Sequence, residues 1–441
     1  MDAAGTVVRG DLLVRDGAIV ALGAAVPAAL STLPGGRAED SFDAGGAWVL
    51  PGFIHAHIHL CQTLLRGRAE QSDLLSWLRE SIWPLEAAHT AASIAASARL
   101  GLCELVAGGV TCVNDMGTVR HTEAIGAVLE ASGIRAVFGK ALMDQGEGVP
   151  QALLDTPRAA IDESLALAKR FHGAAGGRLR VSLAPRFILS CSDALWDETV
   201  AVTGAHDLLL HTHLAESPGE ARAVDAAVGS TAARYFARHG VLGPRFVAAH
   251  GIWLDAEEMG MLRAADAALV HCPGANLKLG SGLARLREWK DHGLRCGLGA
   301  DGAACNNRLD TFHEMALAAG VSRVTHPERP LSPREVLALA TCDGARALGL
   351  GHTIGSLEAG KQADLAVLDA DGAHLAPQAA EDPYPAIVHA GRAADVRLTL
   401  VAGRPLYRDG ECATLDRERA VAEARVEARG LERRAGTGTR P

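Results

Sequence analysis

The chain has 441 residues, 48% of them hydrophobic and 22% charged, with a net charge of −9. That composition excludes a disordered chain, and the acidic balance excludes a basic nucleic-acid surface. No apolar run approaches the ~20 residues that span a bilayer, so no membrane partner is expected either.

Residues 11–22 (DLLVRDGAIVAL) alternate in polarity around Asp16-Gly17 and predict a β-hairpin. AWVLPGF (47–53) is then the first of eight short apolar runs. GVTCVND, IRAVFGK, LRVSLAP, LLLHTHL, RFVAAHG, AALVHCP and LRCGLGAD follow, separated by longer Ala/Leu/Glu/Arg-rich stretches at helical spacing. Eight strand-helix alternations are the count of a (β/α)₈ TIM barrel, an α/β fold. A doubly wound sheet fits the alternation as well. The clustering of ionisable residues at the ends of most of these strands favours the barrel, which converges its strand ends on one site.

ADLAVLD (363–369) and VRLTLVAGRPLYR (396–408), with a turn at Gly403, are strand-like again. Residues 1–49 and 353–412 are therefore expected to form one small β-sandwich domain built from both termini. Residues 50–352 would form the catalytic barrel. The tail from 413 reads as a charged surface helix that ends disordered.

The chemistry lies at the strand ends. PGFIHAHIHL offers His55, His57 and His59, and imidazoles at i, i+2 on a strand share a face. His213 lies in LLLHTHLAES with Glu216 three residues on, His250 closes RFVAAHG, and Asp301 follows RCGLGA. Each alone could be a satisfied core histidine or a helix cap. Together they make the donor set of a divalent metal such as Zn²⁺ or Fe²⁺, with a position left for water. Glu216, His250 and Asp301 can then move protons as general acids and bases. The nine cysteines are scattered and include no Cys-x-x-Cys pair. That argues against a zinc ribbon, a disulfide framework and a His/Cys/Cys zinc deaminase, and fits a reduced cytoplasm. The first residues carry no basic segment followed by an apolar one, so no signal peptide is expected.

These motifs, together with NLKLGSG (276–282), GADGAACNN and GSLEAGKQADLAVLD, resemble the amidohydrolase superfamily over residues 11–410. The nearest group is that of the s-triazine hydrolases, guanine-type deaminases and methylthioadenosine/S-adenosylhomocysteine deaminases. The resemblance implies a (β/α)₈ barrel with a composite β-domain, one metal ion, a small-molecule substrate and a homo-oligomer. It places the metal ligands on His57, His59, His213 (rather than His211) and Asp301. It places the proton shuttle on Glu216 and the water-orienting residue on His250. No lysine after the fourth strand is placed as a carbamylated bridge, which supports one metal rather than two.

TLLRGRAEQSDLLSWLRESIWPLEA (63–87) resembles the nucleoside deaminases, in which a Glu at the position of Glu86 grips the ribose hydroxyls. The implied reaction is hydrolytic deamination of an adenosine-like nucleoside such as 5′-deoxyadenosine, 5′-methylthioadenosine, S-adenosylhomocysteine or adenosine. Trp83 and Trp77 could stack on the purine or pack the barrel rim. Arg186 stands where the methylthioadenosine-type enzymes carry His, and Gln62 follows His59 by three, where it could read a ring edge. Both leave room for the alternative, a deaminase or chlorohydrolase of a free guanine, 8-oxoguanine, pterin or s-triazine.

Overall fold

The computed structural model describes residues 2–33, 35, 37–68, 73–377 and 382–436. Eight parallel strands follow one another around a barrel. They are β1 (Phe53–His59), β2 (Val110–Asp115), β3 (Arg135–Leu142), β4 (Leu179–Pro185), β5 (Leu209–Leu214), β6 (Phe246–His250), β7 (Ala268–His271) and β8 (Arg295–Leu298). Each pairs with its neighbour in chain order. Asp301–Gly302 continues β8 and pairs in parallel with Ile58 and His59 of β1, which closes the ring. β1, β2, β3 and β6 are buried along their whole length. This is why they read as apolar runs: helices cover the outer face of a parallel barrel and side chains fill its inside.

The stretch AWVLPGF (47–53), expected as the first barrel strand, is divided. Trp48–Pro51 pairs antiparallel with Leu365–Leu368 in a second sheet, and the barrel strand begins at Phe53. Gly52 is the joint. Its N–H donates to Asp364 O at 2.9 Å, and a Cβ there would overlap the Thr111 side chain. Asp364 also takes the fork of Arg135 from β3 at 2.8 and 3.0 Å, both groups being buried. The second sheet is thereby tied to the barrel wall.

That sheet has five strands in the order Glu411–Cys412, Arg404–Arg408, Val396–Val401, Leu365–Leu368, Trp48–Pro51. The N-terminal hairpin, Leu12–Arg15 and Ala18–Leu22, turns through Asp16 (φ 52°) and Gly17 (φ 81°). Two positive φ values in succession are the mark of the two-residue turn that the sequence predicts there. The hairpin is stitched to the C-terminal segment, with Ile19 N–H donating to Lys361 O and Gly360 N–H to Ile19 O, each at 2.8 Å. Ile19, Leu365, Val367 and Leu398 fill the space between them.

Two helices depart from the sequence reading. Tyr384–His389 lies between strands of the small sheet in the chain, yet it rests on the barrel helices Thr311–Thr325 and Pro333–Leu339. Arg417–Ala435 is more than a surface helix. It buries Ala420, Ala424 and Leu431, lies along the helix Ala91–Ala107, and pairs Glu423 with Arg99 at 2.7 Å. The disordered end expected beyond it falls on 437–441, outside the described residues. Among the described residues no single helix is long and apolar enough to cross a membrane.

Because a side chain at Gly52 must displace Thr111 at the joint of the two sheets, Gly52→Val is expected to cost about 1–3 kcal/mol, the range of overpacked cores. Thermal unfolding should show a lowered Tm, and adding Thr111→Ala should recover part of it. An unchanged Tm for Gly52→Val would show that the joint has slack.

Candidate metal centre and active site

Parallel strands end on the same rim, so each can deliver one side chain to a common centre. β1 delivers His57 and His59, β5 delivers His213, and the segment after β8 delivers Asp301. One donor atom from each lies within 4.8 Å of all the others. His57 Nε2 is 3.2 Å and His59 Nε2 3.3 Å from Asp301 Oδ1, and His59 Nε2 is 3.3 Å from His213 Nε2. An ion that takes four protein donors and keeps a fifth position for water, with bonds of about 2.0–2.2 Å, sets neighbouring ligand atoms roughly 3 Å apart. The side chains are spaced for such an ion.

Their protonation also suits one. Burial pushes the imidazoles of His57, His59 and His213 below their ordinary pKa, the last two by a wide margin, and so keeps them neutral. Burial alone would raise Asp301, but the hydrogen bond and charge of His57, with His59 and His250, outweigh it and hold the carboxyl well below its usual range. His213 Nδ1–H donates to Arg186 O at 2.7 Å, which leaves Nε2 as a lone pair facing the centre. His57 Nδ1 meets His211 Nε2 at 2.8 Å, so His57 Nε2 is the atom turned inward. His211 thus stands behind a ligand, outside the group of four. His55 bonds Thr311 Oγ1 at 3.1 Å and is not in the group either.

The acid-base residues face the same point. Glu216 follows β5, and its backbone N–H donates to Glu220 Oε2 at 2.6 Å. Glu220 is the third residue of the helix Pro218–Val228, which Ser217 opens with a reciprocal capping box. The helix start therefore fixes Glu216. Burial first, then the charge of Asp301, pushes its carboxyl well above the ordinary value. Ser281 Oγ donates to Glu216 Oε1 at 3.4 Å. His250 Nε2 lies 3.4 Å from Glu216 Oε2 and 3.8 Å from Asp301 Oδ2. His250 Nδ1–H donates to Asn276 Oδ1 at 2.9 Å, which sets the tautomer. His250 (φ 77°) and Asp301 (φ 60°) both hold the left-handed backbone, a cost of about 1 kcal/mol or more each that the surrounding barrel sustains.

A cleft opens over this centre. Its polar wall includes Gln62, Arg186 and Glu216, and its apolar wall is Leu74, Trp77, Leu78, Phe187 and Leu279. Of the four residues expected to touch substrate, Arg186 and Gln62 line the cleft. Glu86 does not; it sits behind them, bonded to both. Trp77 and Trp83 are both buried in one core cluster, and of the two only Trp77 also lines the cleft. Asn276 and Ser281, which the sequence offers only within the motif NLKLGSG, bond to His250 and Glu216. Nothing local in the sequence marks Phe187 or Leu279 as cleft residues, because both read as ordinary apolar positions.

The sequence profile of the Amidohydrolase family matches residues 48–406, and the chain belongs to that family of hydrolases. It is 35% identical over 421 residues to a 5′-deoxyadenosine deaminase of Methanothermobacter thermautotrophicus, covering 95% of this chain and 94% of that one. It is 35% identical over 436 residues to a 5-methylthioadenosine/S-adenosylhomocysteine deaminase of Halobacterium salinarum, covering 98% of each. Among solved structures it resembles an adenosine deaminase from Xanthomonas campestris with bound zinc, at a TM-score of 0.87 and 29% identity, over 97% of this chain and 93% of that one.

If Asn276 sets the tautomer of His250, Asn276→Ala should keep the fold and lower turnover by roughly 10–100-fold, as loss of an orienting partner does at such sites. Steady-state kinetics beside the far-UV spectrum would check it. Full turnover would mean that the barrel alone orients His250.

Proposed function

We propose that the chain is a hydrolytic deaminase of an adenosine-like nucleoside, giving the inosine analogue and ammonia, with one Zn²⁺ or Fe²⁺ held by His57, His59, His213 and Asp301. The observation that carries the reading is the convergence of those four donors beside the buried Glu216 carboxyl and His250 Nε2, in a chain whose relatives are named for deaminating such nucleosides. When bound, the ion supplies Lewis acidity and brings water toward a pKa near ~7.

The protein's residues do the rest. The cleft holds the heterocycle against Leu74, Trp77 and Phe187, with its amino-bearing carbon toward the four donors. His250 Nε2 and the Asp301 carboxylate orient the attacking water and take its proton. Glu216 delivers a proton to the ring nitrogen beside the attacked carbon, which neutralises the charge that attack creates. The proton taken from the water passes on to the amine, which leaves as ammonia, and the oxygen's remaining proton returns to Glu216.

A second reading has an observation of its own. Glu86, expected at the ribose, lies outside the cleft lining, whereas Gln62 and Arg186 line it. A free guanine, 8-oxoguanine, pterin or s-triazine needs no ribose grip, so it fits this wall as well.

A screen for ammonia release decides between the two. 5′-Deoxyadenosine or 5′-methylthioadenosine should exceed every free heterocycle in kcat/KM by at least ~10-fold, a difference of about 1.4 kcal/mol in transition-state binding. Faster turnover of guanine, a pterin or a triazine would contradict the nucleoside reading. The proton-delivery role has its own test. Glu216→Gln keeps the volume and a hydrogen bond but has no proton to give, so it should retain metal and lose at least ~10²-fold in kcat. Undiminished kcat would place the shuttle elsewhere.

A further inference from the structure

Arg186 joins two parts of the site. Its backbone carbonyl accepts from both the N–H and the Nδ1–H of His213, at 3.1 and 2.7 Å. Its guanidinium forks onto Glu86, with Nη1 2.5 Å from Oε2 and Nη2 3.3 Å from Oε1. Gln62 Nε2 donates to the same Oε1 at 2.9 Å. All three side chains are buried, and only Arg186 and Gln62 line the cleft.

Both oxygens of Glu86 are therefore engaged before any substrate arrives. An ionised carboxylate has about four acceptor sites and three are taken, so two sugar hydroxyls could both reach Glu86 only by displacing Gln62 or one arm of the guanidinium, which would leave a buried polar group unpaired. The guanidinium has five N–H groups, and two of them face Glu86. The others remain for a group in the cleft. Gln62 Oε1 is buried without a partner, turned onto the backbone of Gly302 beside Asp301.

We infer that Arg186 and Gln62 make the polar surface that touches the substrate, with Arg186 donating to an in-plane acceptor of the heterocycle, and that Glu86 is a positioning residue acting through them. The inference rests on the deaminase reading for its assay. Glu86 fixes the fork in one orientation, and the backbone of Arg186 fixes a metal ligand, so the heterocycle and the four-donor centre are held in one register.

The test uses Glu86→Gln, Arg186→Ala and the two combined, assayed on 5′-deoxyadenosine and on its analogue lacking the 2′ and 3′ hydroxyls. Each single variant should lose roughly 10–10³-fold in kcat/KM, by the same factor on both nucleosides. Free guanidinium at millimolar concentration should restore Arg186→Ala by at least ~5-fold and leave the combined variant unchanged, since the carboxylate that would seat it is gone. A purely structural contribution would not be rescued. A loss on Glu86→Gln confined to the nucleoside with vicinal hydroxyls overturns the inference, because Glu86 then grips the sugar itself. Absence of rescue in Arg186→Ala overturns it too. If Arg186→Ala does not fold, Arg186→Lys leaves Glu86 a cation but no fork; a loss of ~10-fold or more supports the inference, and full activity overturns it. Should wild-type enzyme be idle on both nucleosides, the function proposed above fails, and the same variants and rescue are read on guanine, where equal loss without rescue overturns the inference.

Discussion

Two imidazole nitrogens, His59 Nε2 and His213 Nε2, face each other across 3.3 Å at the mouth of the barrel, and the Asp301 carboxylate lies 3.3 Å from the first. Burial keeps both rings neutral. Neutral nitrogens and a carboxylate gathered out of water are an arrangement that a cation completes, and a protein holds them there only where the scaffold forces it. The closed parallel barrel supplies that force. β1 and β5 end on one rim, and Asp301 reaches it because the chain after β8 pairs back onto β1. The left-handed backbones of His250 and Asp301 are the local cost of aiming two more groups at the same point.

A surrounding layer keeps the donors aimed. Arg186 O and His211 take the outer nitrogens of His213 and His57, and Asn276 takes that of His250. The stretch just after the first two ligands is pinned from outside. Ser97 on the helix Ala91–Ala107 donates to Leu60 O at 2.7 Å and Cys61 O at 2.9 Å, and Asp115 accepts from Leu60 N–H at 2.7 Å. The C-terminal helix lies along that same helix. The ligand strand is thus braced through two layers, and the small sheet is fastened to the barrel by Gly52 and by the Arg135–Asp364 pair. Proximity at the centre is paid for in stability built elsewhere.

Much of this was legible in the sequence. Residues at strand ends need no contact map: a His or Asp that closes an apolar run in a barrel pattern points to the rim, and His57, His59, His213, His250 and Asp301 all do so. The Asp16-Gly17 turn was legible because its backbone demands those residue types. What was not legible depended on distance through space. Glu86 looks free in WPLEA, yet an arginine exactly one hundred positions on occupies it. AWVLPGF reads as one strand, but Gly52 bends it between two sheets because Thr111 leaves no room for a side chain. Trp77 and Trp83 lie in one segment and pack in one core cluster, and only the turn of the chain between them lets the first also reach the cleft.

The central claim is that one cation sits among four particular atoms. Anomalous diffraction at the absorption edge of the bound metal measures it directly. A single peak should lie about 2.0–2.2 Å from His57 Nε2, His59 Nε2, His213 Nε2 and an Asp301 oxygen. A second peak bridged to the first, or a peak coordinated by His55 or His211 in place of one of these, would contradict the account.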